Sequence, residues 1–331
     1  MKPLEVKQFV GCARYTVSAI ISPCNTTVST WGLMKVLVSG ASGLVGRALI
    51  PALEDDGHAV LRLVRHPVRD PGEEMQWNPY ADRIDESSLP PFDAVIHLSG
   101  ESITGRWNKA KKRAIYDSRI RTTAYLAECM ERMERPPAVW LCASAIGFYG
   151  DRGDEVLDED AQPGSTYLAS VCEDWEKATK PATDRGVRVV NMRLGVVLAK
   201  EGGTLPLMMR PFKMGVGGII GNGKQYLSWI TLDDLIAAIL FALSNDSLSG
   251  PVNFVAPQPA TNRDFTNAMG NTLKRPTLFR TPGFALRAAL GEMAKELVLA
   301  STRVVPQKLS DAGFQFEQPD ISGALDSLLN T

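Results

Sequence analysis

From Lys35 onward the chain alternates short apolar runs with longer amphipathic stretches. Val36-Leu37-Val38 is the unbroken apolar run expected of a strand buried on both faces. After a glycine-rich turn, Leu44, Val45, Ala48, Leu49, Ala52 and Leu53 recur at helical spacing, and Gly57 is placed to end that helix. Pro51 lies inside it, removes one backbone donor and predicts a local kink. The cycle then repeats. Residues 59–64 form a second apolar run and 93–101 a third that ends in small residues. A further strand ends near Ser144, a helix covers 164–176, and another strand covers 187–192. Beyond it the pattern predicts a helix over 204–214, a flexible glycine-rich loop over 215–223 and a short strand over 250–255. A small helical module begins at Arg280, with Phe284, Leu286 and Leu290 assigned to packing. Strands alternating with helices predict an α/β fold: a Rossmann-type doubly wound parallel sheet with a small, mostly helical C-terminal cap. The expected division is 1–33 as a disordered leader or mis-assigned start, 34–245 as the sheet domain, and 246–331 as the cap.

The first turn carries the most specific chemistry. In Gly40-Ala41-Ser42-Gly43-Leu44-Val45-Gly46, the first glycine permits a tight turn and the second lets backbone approach a pyrophosphate. The third lets the helix pack close to the strand, and the helix start offers free N–H groups to the phosphates. Lying between an apolar strand and an amphipathic helix, this triplet points to a dinucleotide. Arg65 follows the next strand, where an acidic residue would hold a ribose 2′-OH and an arginine suits a 2′-phosphate, so NADP(H) is expected over NAD(H). Leu98 and Ser99 close the third apolar run, where a dinucleotide crosses the strand ends. His97, inside that run, reads as a packed histidine, and 109–113 as a solvated helix face.

Composition narrows the rest. Thirty-six Lys+Arg against 37 Asp+Glu leave a net charge of −1, which argues against nucleic acid or an anionic membrane as the main partner. Three histidines do not supply a His-rich metal centre, and no metal is expected. Five scattered cysteines without a C-x-x-C pair read as thiols of a reducing compartment, so a cytoplasmic protein is expected. Residues 1–33 are Ser/Thr-rich and acid-poor, which leaves an organelle transit peptide as the alternative.

The stretches V-L-V-S-G-A-S-G-L-V-G, A-V-I-H-L-S-G-E, Y-D-S-R-I-R-T-T, S-A-I-G-F-Y-G, V-N-M-R-L-G-V-V-L and Y-L-S-W-I-T-L-D-D-L occur in order. With the C-terminal G-E-M-A-K-E-L-V-L-A-S-T-R-V-V-P-Q-K-L-S-D-A-G-F they resemble the atypical extended short-chain dehydrogenase/reductases. The resemblance is to the epimerase-like subfamily, labelled nucleoside-diphosphate-sugar epimerase or cell-division inhibitor, with its small extra domain. It implies that Arg119 faces the dinucleotide, that Leu98 and Ser99 lie beside the adenosine, and that Gly195, Val196 and Val197 lie under the nicotinamide. It also implies that Gln225 and Trp229 sit where relatives close the substrate pocket, and that the chain pairs as a homodimer. For Trp229 a core position is an equal alternative.

The wider superfamily uses a Tyr and a Lys four residues apart on one helix face to exchange a proton. Here Tyr167 is followed by Val171, and the other register places Leu168 and Cys172 at those positions. The pair is absent. Ser144 at the strand end and Tyr149 nearby remain as catalytic candidates, and the acidic stretch 151–160 reads as a solvated loop. Two functions stay open. One is an NADP-dependent oxidoreductase or epimerase moving hydride at a carbinol or carbonyl carbon of a small polar, nucleotide-linked substrate. The other is a catalytically weak or inactive NADP(H)-binding sensor.

Overall fold

The computed structural model describes residues 32–80 and 91–330, so the leader and transit-peptide readings lie almost wholly outside the described residues. Residues 33–331 form one compact unit. Its first strand, β1 (Lys35–Ser39), is followed by α1 (Leu44–Asp55), β2 (Ala59–Val64) and β3 (Glu74–Gln76). Next come β4 (Ala94–His97), α2 (Lys109–Arg132) and β5 (Val139–Ala145), which runs into a 3-10 turn over Ile146–Tyr149. After β6 (Val156–Leu157), α3 (Tyr167–Lys177) and α4 (Lys180–Asp184) comes β7 (Arg188–Leu194). Then follow β8 (Val196–Leu198), α5 (Leu205–Lys213), β9 (Gly218–Ile220), β10 (Tyr226–Leu227), β11 (Trp229–Thr231) and α6 (Leu232–Ser244). The chain ends with β12 (Gly250–Phe254), β13 (Ala260–Thr261), α7 (Asn262–Thr272), β14 (Phe279–Thr281), α8 (Gly283–Leu290), β15 (Arg303–Val304), α9 (Gln307–Asp311) and α10 (Ile321–Asn330).

Seven strands form one sheet in the order β12-β7-β5-β4-β1-β2-β3, and every pairing is parallel. That is the doubly wound arrangement, and the apolar runs fit it because central parallel strands lose water on both faces. Leu37, Leu63, Val95 and Trp140 pack with Tyr125, Leu126 and Met130 of α2 and with Trp175 of α3. The sheet continues to Phe254, past the boundary at 245, because β12 lies along β7 from Gly250↔Val190 to Phe254↔Leu194. A second core joins Leu198, Leu205, Met209 and Trp229 to Phe265 and Met269 of α7 and to Ile321 and Leu325 of α10. Helix α1 runs through Pro51, whose exposed position turns the missing backbone donor toward water.

Two expectations about loops change. The 215–223 segment holds β9, which pairs in parallel with β14 through Gly218↔Phe279 and Ile220↔Thr281. The acidic 151–160 segment is stitched to the C-terminal region: β6 pairs with β15, and the Ser301 amide donates to Asp151 at 3.0 Å. In both cases the partner strand is more than 50 residues away, so local composition gave no sign of it.

Candidate functional site

The crossover direction reverses at β1, with β2 on one side and β4 on the other, which opens a crevice beyond the carboxyl ends of β1 and β4. Gly40 turns the chain there with φ +77°, and a Cβ on it would lie 2.7 Å from the Leu98 carbonyl carbon. A Cβ on Gly46 would overlap the Gly40 carbonyl, so this helix and strand approach as closely as they do only because both positions lack one. Gly43 caps α1 in extended conformation, with no side-chain cap and no acid in the first turn. The first amides of α1 therefore point at the crevice with neither a side-chain partner nor a competing negative charge. Ser42 and Gly43 are exposed, and Leu44 and Val45 are half-buried beside them. Leu44 packs toward Gly203, whose Cβ position lies 3.6 Å from the Val197 carbonyl, so Val197 borders the same loop.

Arg65 is the first residue after β2, exposed, with no ion-pair or hydrogen-bond partner among the described residues. Ser99 and Leu98 are half-buried at the lip of β4. His97 is fully buried, with Nδ1 2.5 Å from the Ser39 hydroxyl and Nε2 3.3 Å from that of Thr122. Burial pushes its pKa down to about 3, so it is the neutral packing histidine expected. Arg119 of α2 reaches the same crevice. Its Nη1 donates to the Glu101 and Ile115 carbonyls at 3.0 and 3.1 Å, and the guanidinium lies against Gly100 and 5.1 Å from the Trp175 ring. Within 109–113, Lys111 pairs with Glu101 and Lys112 with Glu292 of the C-terminal region.

Ser144 and Tyr149 fall within one polar network. Ser144, 2% exposed, donates to Glu176 Oε1 at 2.7 Å. The Glu176 carboxylate is gripped by Arg193 through Nε and Nη2 at 2.8 and 2.9 Å. Arg193 also donates to the Tyr149 hydroxyl at 2.9 Å, and that hydroxyl donates to Asn253 Oδ1 at 2.7 Å. Tyr149 is fully buried, and burial pushes its pKa up to about 12. Burial works against the Arg193 charge, but the Glu176 and Tyr149 hydrogen bonds outweigh it and leave its pKa raised. Both hydroxyls thus have partners inside the protein, and the open rim of the strand end is Ala145, Ile146 and Gly147. The Arg193–Glu176 pair that holds this network was not singled out from the sequence. The available signal was an arginine between Met192 and Leu194 near the end of a largely apolar strand, since a charge buried there must meet an opposite one.

Helix α3 fixes the register of the missing pair. A Cβ on Gly147 would lie 3.3 Å from Leu168 Cβ and 3.7 Å from Cys172 Sγ, so those two side chains stand where a tyrosine and lysine would face the strand end. Burial raises the Cys172 thiol to about 12, far from a thiolate at neutral pH. Tyr167 turns the other way and donates to the Lys112 carbonyl at 2.6 Å. Thr166 caps the helix, and Glu296 accepts from the Tyr167 and Leu168 amides at 3.1 and 2.9 Å, docking the C-terminal region on the start of α3.

A cavity of about 560 Å³ opens between the segment after β5 and that region, lined by Asp151, Asp154, Asn222, Lys224, Gln225 and Arg287 among others. Gln225 lines this cavity. Trp229 does not: it is fully buried in the second core and donates to the Gln258 carbonyl at 3.2 Å, because β11 lies inside rather than along the cleft.

A dinucleotide requires phosphate-binding amides and room at the strand ends, and the fold and crevice together define the Rossmann class. Within that class the chain belongs to the NAD-dependent epimerase/dehydratase family, whose model matches residues 36–255. A domain of unknown function (DUF1731) matches residues 281–328. An epimerase family protein of Mycobacterium leprae is 44% identical over 291 residues, covering 88% of this chain and 94% of that protein. A chloroplastic epimerase family protein of Arabidopsis thaliana is 37% identical over 311 residues, covering 89% and 87%. The crystal structure of human epimerase family protein SDR39U1 with NADPH superposes with a TM-score of 0.82 at 32% identity, covering 90% of this chain and 99% of that one.

Proposed function

We propose that this protein binds NADPH across the β1–β4 crevice and acts as a reductase or epimerase on a small polar, nucleotide-linked molecule held on the side of the cavity that Gln225 lines. The observation that carries the reading is the uncapped, acid-free start of α1 together with an exposed Arg65 that has no partner among the described residues. The amides of residues 43–46 would take the pyrophosphate, and Arg65 the 2′-phosphate that distinguishes NADPH from NADH. Arg119 would add positive charge beside Leu98 and Ser99, and Val197 would border the nicotinamide half. The bound cofactor would supply a hydride donor. The human relative SDR39U1 was crystallised with NADPH, which supports the same cofactor here.

For the chemical step, Ser144 and Tyr149 remain the candidates, with Gln225 on the substrate side and Trp229 confined to packing. A second reading is an NADPH-binding sensor without turnover. It is favoured by Leu168 and Cys172 in place of a proton-transferring pair, and by hydroxyls already committed to Glu176 and Asn253.

Thermal-shift titration tests the cofactor assignment. Ligand at 100 times its Kd adds about 2.7 kcal/mol, which for a chain of this size raises the midpoint by roughly 4 °C. NADPH should do this at lower concentration than NADH, and Arg65→Asp should reverse the order. Equal shifts for the two cofactors would overturn it. Turnover is tested with NADPH and a panel of carbonyl compounds and nucleotide sugars. Activity lost in Ser144→Ala or Tyr149→Phe supports the enzyme, and binding without turnover supports the sensor.

A further inference from the structure

Helix α8 breaks the rule that an apolar helix buries one face. Its sequence, GFALRAAL, has a single charged residue, yet none of its residues is buried. Phe284, expected to pack, is 72% exposed. The surface around it continues the anomaly: Leu278 is 88% exposed and Met214 69%. The β9–β14 pairing brings these segments together, since Gly218 lies opposite Phe279 and Met214 ends α5 just before β9. Large apolar side chains exposed on neighbouring segments in this way mark a binding surface.

Charge says what the surface binds. Residues 202–232 and 265–291 contain no Asp or Glu, while Arg210, Lys213, Lys274, Arg275, Arg280 and Arg287 lie within them. All six are exposed. Of the acids that flank these stretches, Asp264 is bonded to Thr261 and Glu292 to Lys112, while Glu201 and Asp233 are exposed at the two ends of the first. The near-zero total charge of the chain conceals this local excess. A second copy docking by two-fold symmetry would set the same cations against each other, which costs rather than stabilises. Nucleic acid would satisfy the cations but would leave Leu278 and Met214 without an apolar partner. An anionic bilayer satisfies both, taking aromatic and aliphatic side chains into its interface and attracting basic ones to its headgroups.

We propose that the β9–β14–α8 face, with Met214, Leu278 and Phe284 ringed by basic residues, docks this protein peripherally on an anionic lipid surface. No helix among the described residues is long and apolar enough to cross a membrane, so the attachment is interfacial and reversible. It opens beside the cavity, since Gly283 and Arg287 of α8 also line that space.

The test is co-sedimentation of the full chain with vesicles of phosphatidylcholine alone or mixed with phosphatidylserine. Binding is expected to the mixed vesicles only, and to fall with added salt. Near the surface each basic residue contributes about 1 kcal/mol, so Arg275→Gln with Arg280→Gln should lower partitioning roughly 30-fold. Leu278→Ser with Phe284→Ser should bring it to the phosphatidylcholine baseline with an unchanged thermal midpoint, because both side chains already lie in water. Vesicle binding that ignores phosphatidylserine, or that survives both double substitutions, overturns the proposal. So does absent vesicle binding, whether Leu278→Ser then dissociates a dimer in light scattering or the basic substitutions abolish RNA binding.

Discussion

The Glu176–Arg193 pair is the place to test how the strand end beside the crevice is held. Their side chains are 12% and 4% exposed, and the bidentate contact joins α3 to β7. Glu176→Gln keeps an acceptor for the Ser144 hydroxyl but leaves the guanidinium buried without its counter-charge. Such a loss costs about 3–5 kcal/mol. Unfolding entropy of about 2.1 cal/mol/K per residue over the 33–331 unit is roughly 0.6 kcal/mol/K, which places the midpoint about 5–8 °C lower. Arg193→Met should cost a similar amount, since it strands the carboxylate. The double variant Glu176→Gln with Arg193→Met removes both charges together and should be less destabilised than the sum of the singles by about 2 kcal/mol or more. Thermal and urea unfolding of the four proteins give this cycle directly. Strictly additive losses, or an unchanged midpoint in the singles, would refute the argument that buried charge compensation holds this end of the sheet.

Three further outcomes follow from individual side chains. Gly46→Ala forces a methyl into the Gly40 carbonyl, so calorimetry should show a loss of about 1–3 kcal/mol and weakened NADPH binding; an unaffected variant would show that the loop has slack. His97 stays neutral in the fold down to pH about 3, whereas the unfolded chain takes up its proton near 6.5. Its stabilising effect is therefore complete above pH 6.5 and is lost as pH falls toward 3, with a slope of up to about 1.4 kcal/mol per pH unit. His97→Asn should flatten the stability profile between pH 5 and 6.5, and a parallel profile would sink the point. Finally, Cys142 and Cys172, both fully or nearly fully buried with thiols shifted upward, should resist alkylation in the native protein and react on unfolding; site-resolved mass spectrometry showing rapid native labelling would contradict this.

The α/β class, the dinucleotide turn and the absent Tyr–Lys pair were legible because each is written in contiguous residues. Periodicity marks a doubly buried strand, glycine spacing marks a phosphate loop, and four-residue spacing marks one helix face. Even His97 could be read locally, since an imidazole inside an apolar run has to be buried. The N-cap of α1 shows the limit of this. The glycines named the loop, but only the tertiary structure shows the Leu98 carbonyl against Gly40, which is what prohibits a side chain there.

Other features depend on residues far apart in the chain. Ser144, Glu176, Arg193, Tyr149 and Asn253 form one network across five separate segments, and no local pattern announces which hydroxyl meets which charge. Trp229 went to the core, and β9 and β14 found each other, for the same reason: long-range pairing decides which apolar and polar groups lose water. Helix α8 is the converse case. Its composition predicts packing, yet none of its residues is buried. Sequence alone thus determined the chemistry each segment can offer, while the tertiary structure decided which groups are buried together and which apolar face remains in water, because burial depends on contacts the linear order does not contain.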